Sequence, residues 1–369
     1  MSGCDPTLGV YVHVPFCRTR CRYCDFYRVG ENRGRMSRFL DALATEIDGW
    51  SELHGRRVET VFLGGGTPSL LEPAEIGAVL ERLRGVFAVD AGAEVTAEAN
   101  PSDLDDGRLR GLREAGVNRL SIGVQSFVDR ELGLLGRRHG AADAERVVSS
   151  ARQAGFDSIS LDLMVGIPAQ TDGSFARSVE RAIELAPDHV SAYLLEVHPG
   201  SEIDYLRRER PRLFAGEEAV RRRYLALRER LSAAGFRHYE ISNFARAGHE
   251  CRHNLRYWRC ADWLGLGPAA HSFVDGRRFR HLPDLEGWTR DPLAVEELPA
   301  DPSAERVFLG LRLDEGIEPR LLEEAGIAPE ETRRRLERLA DFVELRDGRL
   351  RLTPEGYLLS NPVLAELLR

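Results

Sequence analysis

The sequence predicts an α/β fold: a partial (β/α)6 barrel followed by a C-terminal winged-helix-like α+β module. Three observations lead to it. Six short β-rich runs alternate with amphipathic, helix-like stretches, the pattern of βα units around a parallel sheet. Polar or glycine-rich segments follow nearly every run, as expected where a barrel gathers its chemistry at the C-terminal ends of its strands. From about Pro302 the pattern changes to short helices followed by a hairpin.

The β-rich runs are Val10 to Val14, Val58 to Leu63, Glu94 to Ala99, Arg119 to Gln125, Ser158 to Val165 and His189 to Val197. The helix-like stretches lie near Met36 to Leu53, Pro73 to Arg84, Ser102 to Ala115, Ala141 to Ala154, Ser174 to Leu185 and Glu217 to Ala234. A doubly wound sheet shares this periodicity, so the polar strand ends decide for the barrel. They are a cysteine loop, Gly64-Gly65-Gly66-Thr67, Glu98 with Asn100, Gln125, and Asp162. Each alone is explained as a turn or cap; together they point to one mouth. In the C-terminal part, helices are expected at Ala304 to Leu313, Pro319 to Ala325 and Pro329 to Ala340, and Asp347-Gly348 between apolar-rich runs signals a hairpin over Phe342 to Leu352. The expected organisation is a barrel over residues 1–235, a barrel extension over 236–300 and the winged-helix-like module over 301–369.

Composition narrows the function classes. The 369 residues, 43% hydrophobic, suffice for one large domain and a smaller one, and no apolar stretch reaches the roughly 20 residues of a membrane span. The net charge of -8 opposes a general nucleic-acid binder and an anionic-membrane binder, while peripheral membrane contact stays open. All 51 basic residues are arginine, a bias that weakens any argument from one of them; the runs Arg221 to Arg223 and Arg333 to Arg335 read as solvated helix faces. From Asp301 onward, 15 acidic against 11 basic residues oppose a phosphate-binding face, so the module reads as a packing or partner-docking unit. Six cysteines in a long chain that opens without a secretory pattern indicate a reduced, cytoplasmic protein.

Cys17, Cys21 and Cys24 carry the chemistry. They stand in Cys-Arg-Thr-Arg-Cys-Arg-Tyr-Cys just after the first β-rich run, and no fourth cysteine follows closely. A [4Fe-4S] cluster is normally closed by four thiolates, so three imply one iron open to a small molecule, as a catalytic metal keeps an open position. A zinc loop would call for a second Cys/His pair at short spacing, which Cys4, Cys251 and Cys260 do not supply. Those three cysteines are expected to be dispensable for the cluster.

This spacing, with an aromatic before the third cysteine, resembles the radical S-adenosylmethionine (SAM) family, whose second signature is similar to Gly64-Gly65-Gly66-Thr67-Pro68. The resemblance implies that Cys17, Cys21 and Cys24 bind three irons and that the methionine part of SAM chelates the fourth. By the same resemblance Tyr23 lies against the adenine, and backbone around Gly65, Gly66 and Thr67 approaches the methionine amine. Glu98, Gln125 and Asp162 would reach that amine or the ribose hydroxyls, Arg137 would pair with the carboxylate, and Tyr11 would flank the site. The protein's part in such chemistry is orientation and shielding of a radical.

The likeness covers essentially the whole chain. Tyr11 to Phe16, Leu120 to Phe127 and Leu264 to Pro268 resemble the oxygen-independent coproporphyrinogen III oxidase-like branch. Two departures argue against the oxidase itself: Phe26 stands where the oxidase carries a further cysteine, and Cys17 lies close to the start of the chain. His253-Asn254-Leu255-Arg256-Tyr257-Trp258 matches the His-Asn-x-x-Tyr-Trp motif of the haem chaperone (HemW-type) branch. That resemblance implies haem as a further ligand, with His253 as an axial ligand and Tyr257 and Trp258 offering flat faces to the porphyrin. Cys251 and His271 are secondary ligand candidates that read better as structural. The partners implied are recipient haemoproteins, respiratory ones among them, and an electron donor, with no nucleic acid. The alternatives are a coproporphyrinogen III oxidase or a methyltransferase of the same branch, or a cluster-bearing scaffold without catalysis.

Overall fold

The computed structural model describes residues 7–369; Cys4 lies outside the described residues. The strands β1 (Thr7–Val14), β2 (Arg57–Gly65), β3 (Ala88–Ala99), β4 (Arg119–Gln125), β5 (Ser158–Val165) and β6 (His189–Leu194) lie side by side in chain order, each parallel to the next. A doubly wound sheet would start in the middle and reverse direction at a switch point. Winding in one direction with right-handed crossovers puts every crossover helix on the same face, and that is the partial barrel. The helices are α1 (Arg33–Gly49), α2 (Pro73–Val86), α3 (Asp106–Ala115), α4 (Asp129–Leu135), α5 (Ala141–Gln153), α6 (Asp172–Glu184), α7 (Glu202–Glu209) and α8 (Glu217–Ala233).

Element ends follow local capping. α1 begins before Met36 because the Asn32 side chain accepts from Arg35 N at 3.0 Å. α3 begins after Ser102 because Pro101–Asp103 form a 3-10 turn and Asp105 then accepts from Arg108 N at 2.7 Å. β6 stops at Leu194, short of Val197, and α4 and α7 are additional to the helices read from the sequence.

Residues 236–300 extend the same sheet at both edges. β7 (Arg237–His238) and β8 (Asn243–Ala245) continue it antiparallel outside β6. After α9 (Arg252–Trp258), β9 (Trp263–Leu266) adds a seventh parallel strand beside β1; β10 (His271–Val274), β11 (Arg277–Arg280) and β12 (Glu296–Leu298) follow antiparallel, with α10 (Leu285–Arg290) before the last. The expected six parallel strands are therefore seven. β9 escaped the sequence reading because its four residues, all buried, show no alternation of polar and apolar positions. The hydrophobic core runs through barrel and extension without a break, including Phe244, Leu264 and Phe279.

The C-terminal module holds α11 (Pro302–Gly310), α12 (Arg320–Glu324), α13 (Pro329–Arg338) and an antiparallel hairpin of β13 (Val343–Arg346) and β14 (Arg349–Leu352). Two further helices, α14 (Pro354–Leu358) and α15 (Ser360–Leu368), were not expected. The module has its own core around Val307, Leu322, Leu350 and Leu364, which also takes in Tyr224 from α8. At the seam with the barrel, Glu240 bridges to Leu313 and is buried, which pushes its carboxyl up to about 8. Beside it the hydroxyls of Tyr224 and Tyr357 and Nη1 of Arg228 have no hydrogen-bond partner among the described residues.

Candidate functional site

The loop after β1 presents Cys17, Cys21 and Cys24, all partly buried and none in a disulfide. Backbone bonds fix it: Arg22 N donates to Leu135 O at 3.1 Å and Cys24 N to Cys21 O at 3.2 Å. Among the described residues no three His, Cys, Asp or Glu side chains are placed to hold one metal ion. A zinc site would need them around one atom, whereas a [4Fe-4S] cluster takes each thiolate on a different iron. The donor set fits the cluster. Burial raises the thiol pKa of Cys17 and of Cys24, so their thiolate form depends on metal binding, which deprotonates a coordinating thiol.

Side chains from the neighbouring strand ends meet at this loop. Cys17 Sγ lies 3.5 Å from Thr67 Oγ1, and Asn100 Nδ2 donates to the same oxygen at 3.1 Å. Arg137 donates to the Asn100 side chain and to Gly123 O, and its Nη1 reaches Cys21 Sγ at 3.5 Å. Thr67, Asn100 and Arg137 thus link two of the cysteines. Gly65 has φ +101, a backbone state that side chains rarely adopt, and its N–H donates to Glu98 Oε2 at 3.1 Å. A Cβ at Gly65 would fall 2.5 Å from the His13 ring, and one at Gly66 2.7 Å from the carbonyl oxygens of Val14 and Phe16. Only glycine fits this cradle. Gln125 has φ +67, and its buried Oε1 has no partner among the described residues, an acceptor left for a ligand's donor.

Below the mouth, Glu98 and Asp162 line a cavity of about 280 Å³ with Tyr11, Arg119, His189 and Tyr193. Burial, then the charge of Asp162, pushes the Glu98 carboxyl up to about 7. Burial also pushes Asp162 up to about 6, against hydrogen bonds from Ser191 and Ser121 and the charges of Arg137 and Arg119. Two carboxyls titrating near neutrality favour a cationic ligand, which would pull both into the ionised form. Tyr23 packs with Leu135, Met164, Ile167 and Leu195, an apolar platform beside the cysteines. Tyr11 lies deeper, its hydroxyl 3.1 Å from His13 Nδ1. Asn100 was read only as a polar strand end, without a role, and His13, Ser121 and Arg119 were not singled out. The legible signal was period two in β1, where Tyr11 and His13 alternate with Val10, Val12 and Val14.

The motif on α9 does not form one haem-facing surface. His253 is fully buried: Nδ1 lies 2.8 Å from Thr60 Oγ1 and Nε2 2.8 Å from Tyr257 Oη, and the ring stacks on Phe62 at 5.3 Å. Burial pushes its pKa down to about 3. Both nitrogens are engaged, so the imidazole is not a free axial ligand in this arrangement. Tyr257 lines the barrel cavity, whereas Trp258 faces the C-terminal module under Arg312. The three motif side chains therefore lie apart, Tyr257 at the barrel cavity and Trp258 at the C-terminal module, with His253 enclosed between Thr60, Phe62 and Tyr257. The cause is helical spacing: residues four apart share a face and consecutive ones do not. Cys251 is 2% exposed and beside Glu94, and burial pushes its thiol up to about 12. His271 is an exposed residue of β10.

Comparison with known proteins agrees with this geometry. The radical SAM superfamily matches residues 11–182 and the HemN C-terminal domain residues 299–359. The chain is 38% identical to "Heme chaperone HemW" of Mycobacterium tuberculosis, covering 98% of this chain and 94% of the relative. The chain belongs to the HemW family of radical SAM proteins. The Bacillus subtilis member is 33% identical over 98% of this chain and 99% of its own length. Among solved structures, coproporphyrinogen III oxidase (HemN) from Escherichia coli matches with TM-score 0.83 at 24% identity, covering 99% of this chain and 91% of that one. That likeness shows the fold. Membership of the radical SAM superfamily implies a [4Fe-4S] cluster and SAM. Among the described residues no helix is long and apolar enough to cross a membrane.

Proposed function

We propose that this protein is a haem chaperone that binds a [4Fe-4S] cluster, SAM and haem and delivers haem to recipient haemoproteins. The observation that carries the reading is similarity to haem chaperones along 98% of the chain. Phe26, in the position where the resemblance gives the oxidase a further cysteine, supports it. Cys17, Cys21 and Cys24 are the proposed cluster ligands. Gly65, Gly66 and Thr67 cradle the methionine end of SAM, with Glu98, Asp162 and Gln125 as acceptors for its amine and ribose, Arg137 for its carboxylate and Tyr23 beneath the adenine. When bound, the cluster supplies the electron that cleaves a carbon–sulfur bond of SAM. This chain's residues hold the cofactor, shield it from water and balance its charge.

For haem, ligation by His253 requires α9 to leave its place. Releasing the contacts to Thr60 and Tyr257 costs about 1–3 kcal/mol, a rearrangement that haem itself would have to drive. The test is an anaerobic haem titration of the cluster-loaded protein followed by visible spectra, with transfer to an apo-haemoprotein and a coproporphyrinogen assay in parallel. Saturable haem binding and transfer without protoporphyrinogen formation are the expected results. Turnover of coproporphyrinogen without specific haem binding would overturn the proposal in favour of the oxidase.

A further inference from the structure

The barrel cavity continues below the carboxyls assigned to SAM. Thr96, Arg119 and Ser160 stand two residues before Glu98, Ser121 and Asp162 on β3, β4 and β5, so by strand period they face inward one layer deeper, and all six line the cavity. The interior of a parallel barrel is normally filled by layers of branched apolar side chains; here the deeper layer is polar. Glu94, two residues deeper again on β3, accepts the first N–H groups of α9, Arg252 N at 3.1 Å and His253 N at 3.0 Å, so that this helix closes the hollow from below.

The two layers differ in charge. The upper one carries Glu98 and Asp162, the lower one a buried arginine. Arg119 is 3% exposed and donates to Ser158 Oγ at 2.8 Å and His249 O at 2.9 Å; no carboxylate among the described residues lies within ion-pair distance of it, and Glu94 and Asp162 act on it from farther away. A buried cation without a paired anion is costly. Thr96 is 1% exposed, and its Oγ1 has no hydrogen-bond partner among the described residues. Ser160 has a proton to give as well. Tyr239 Oη accepts from Cys251 N at 3.1 Å and turns its own proton to His189 Nε2 at 2.9 Å; the neutral ring then donates from Nδ1 to Ser160 Oγ at 2.7 Å, leaving the serine O–H for another acceptor.

We propose that this deeper layer binds a small hydroxylated organic carboxylate, gripped by the Arg119 guanidinium with Thr96 and Ser160 as hydroxyl partners. The planar fork of an arginine fits a carboxylate at two points, and the anion would pair the one charge that the fold leaves unpaired. Size agrees: about 280 Å³ lies at the low end for small-molecule pockets, room for an acid of a few carbons and not for a tetrapyrrole. The proposal goes beyond the haem-chaperone reading and rests on it in one respect, the placing of SAM across Glu98 and Asp162, where it would close the acid in.

The test is anaerobic titration calorimetry of the full-length, cluster-loaded protein with lactate, malate and citrate as probes, with and without SAM, and with haem as competitor. Saturable binding of at least one acid, tighter when SAM is present, is the expected result. Arg119→Gln should weaken it roughly tenfold or more. Thr96→Val should weaken it severalfold while the ligand-free protein melts no lower than the unmodified one, because the substitution removes an unsatisfied buried hydroxyl; a threonine with a merely structural role would lose stability and leave acid binding alone. That variant keeps the test decisive should Arg119→Gln fail to fold. Absence of binding by all three acids, or equal binding to Thr96→Val and the unmodified protein, would overturn the site. Displacement of the acid by haem would assign the layer to a porphyrin propionate and overturn the free acid. Acid binding in a protein that does not bind SAM would support the site and overturn the SAM reading instead.

Discussion

At the residue scale, three cysteines and two carboxyls give the sharpest expectations. Cys21→Ala should lose the cluster, whereas Cys251→Ser and Cys260→Ser should retain it; iron and sulfide content after anaerobic reconstitution checks this. Glu98 has an ordinary value of 4.5 and a folded value of about 7, so between those values the folded state holds a proton that the unfolded chain has released. Folding stability of the ligand-free protein should therefore fall as pH rises through that window, and thermal unfolding at pH 5 and pH 7.5 should show it. Glu98→Gln should flatten the difference, and SAM binding to the unmodified protein should release protons below pH 7, measurable by calorimetry in two buffers. His253 bears the opposite expectation to a simple haem ligand. His253→Ala should cost about 3 kcal/mol of stability through a cavity and two orphaned hydroxyls and change haem affinity little; a large loss of haem affinity in the variant, measured at a temperature where circular dichroism shows it folded, would instead assign His253 as the ligand. Cys17, Cys21 and Cys24 were legible as a group because their spacing alone singles them out. The fate of His253 was not, because a motif records which residues recur and not which way each one points.

At the scale of elements, the strand-to-loop junctions do the positioning. The Gly64 to Thr67 turn is where the backbone of β2 passes under Val14 and Phe16, with Gly66 N donating to Val14 O at 2.9 Å. Gly66→Ala forces a Cβ against two carbonyl oxygens, so it should either shift the turn or destabilise the barrel, and SAM affinity measured by equilibrium dialysis should drop well over tenfold. Legibility here followed length. The six long strands were readable to within a few residues apart from the early start of β3 and the early end of β6. The two- to four-residue strands β7 to β12 were not, because they pair as extensions of a sheet whose position the sequence does not reveal. α4 escaped for a related reason: seven residues with no side-chain N-cap leave little periodic signal.

At the scale of the whole molecule, the parallel barrel with its C-terminal module was legible from the alternation of strands and helices and from the change of character near Pro302. The seventh parallel strand, the two terminal helices and the borrowing of Tyr224 by the module core were not, since all three arise from tertiary packing. That borrowing predicts that a chain ending at residue 300 still takes up its cluster but unfolds at lower temperature and binds a hydrophobic dye, as Tyr224, Leu225 and Ile241 lose their cover. The seam has a further consequence. A buried polar group left without a partner weakens the packing around it, and the Tyr224 and Tyr357 hydroxyls and Arg228 Nη1 are three such groups among the described residues, beside the apolar contacts that join the module to α8. Amides along α8 and the β13–β14 hairpin should therefore exchange with deuterium together, in one breathing motion, ahead of the barrel strands. Alkaline buffer, by ionising Glu240 above about pH 8, should quicken that breathing.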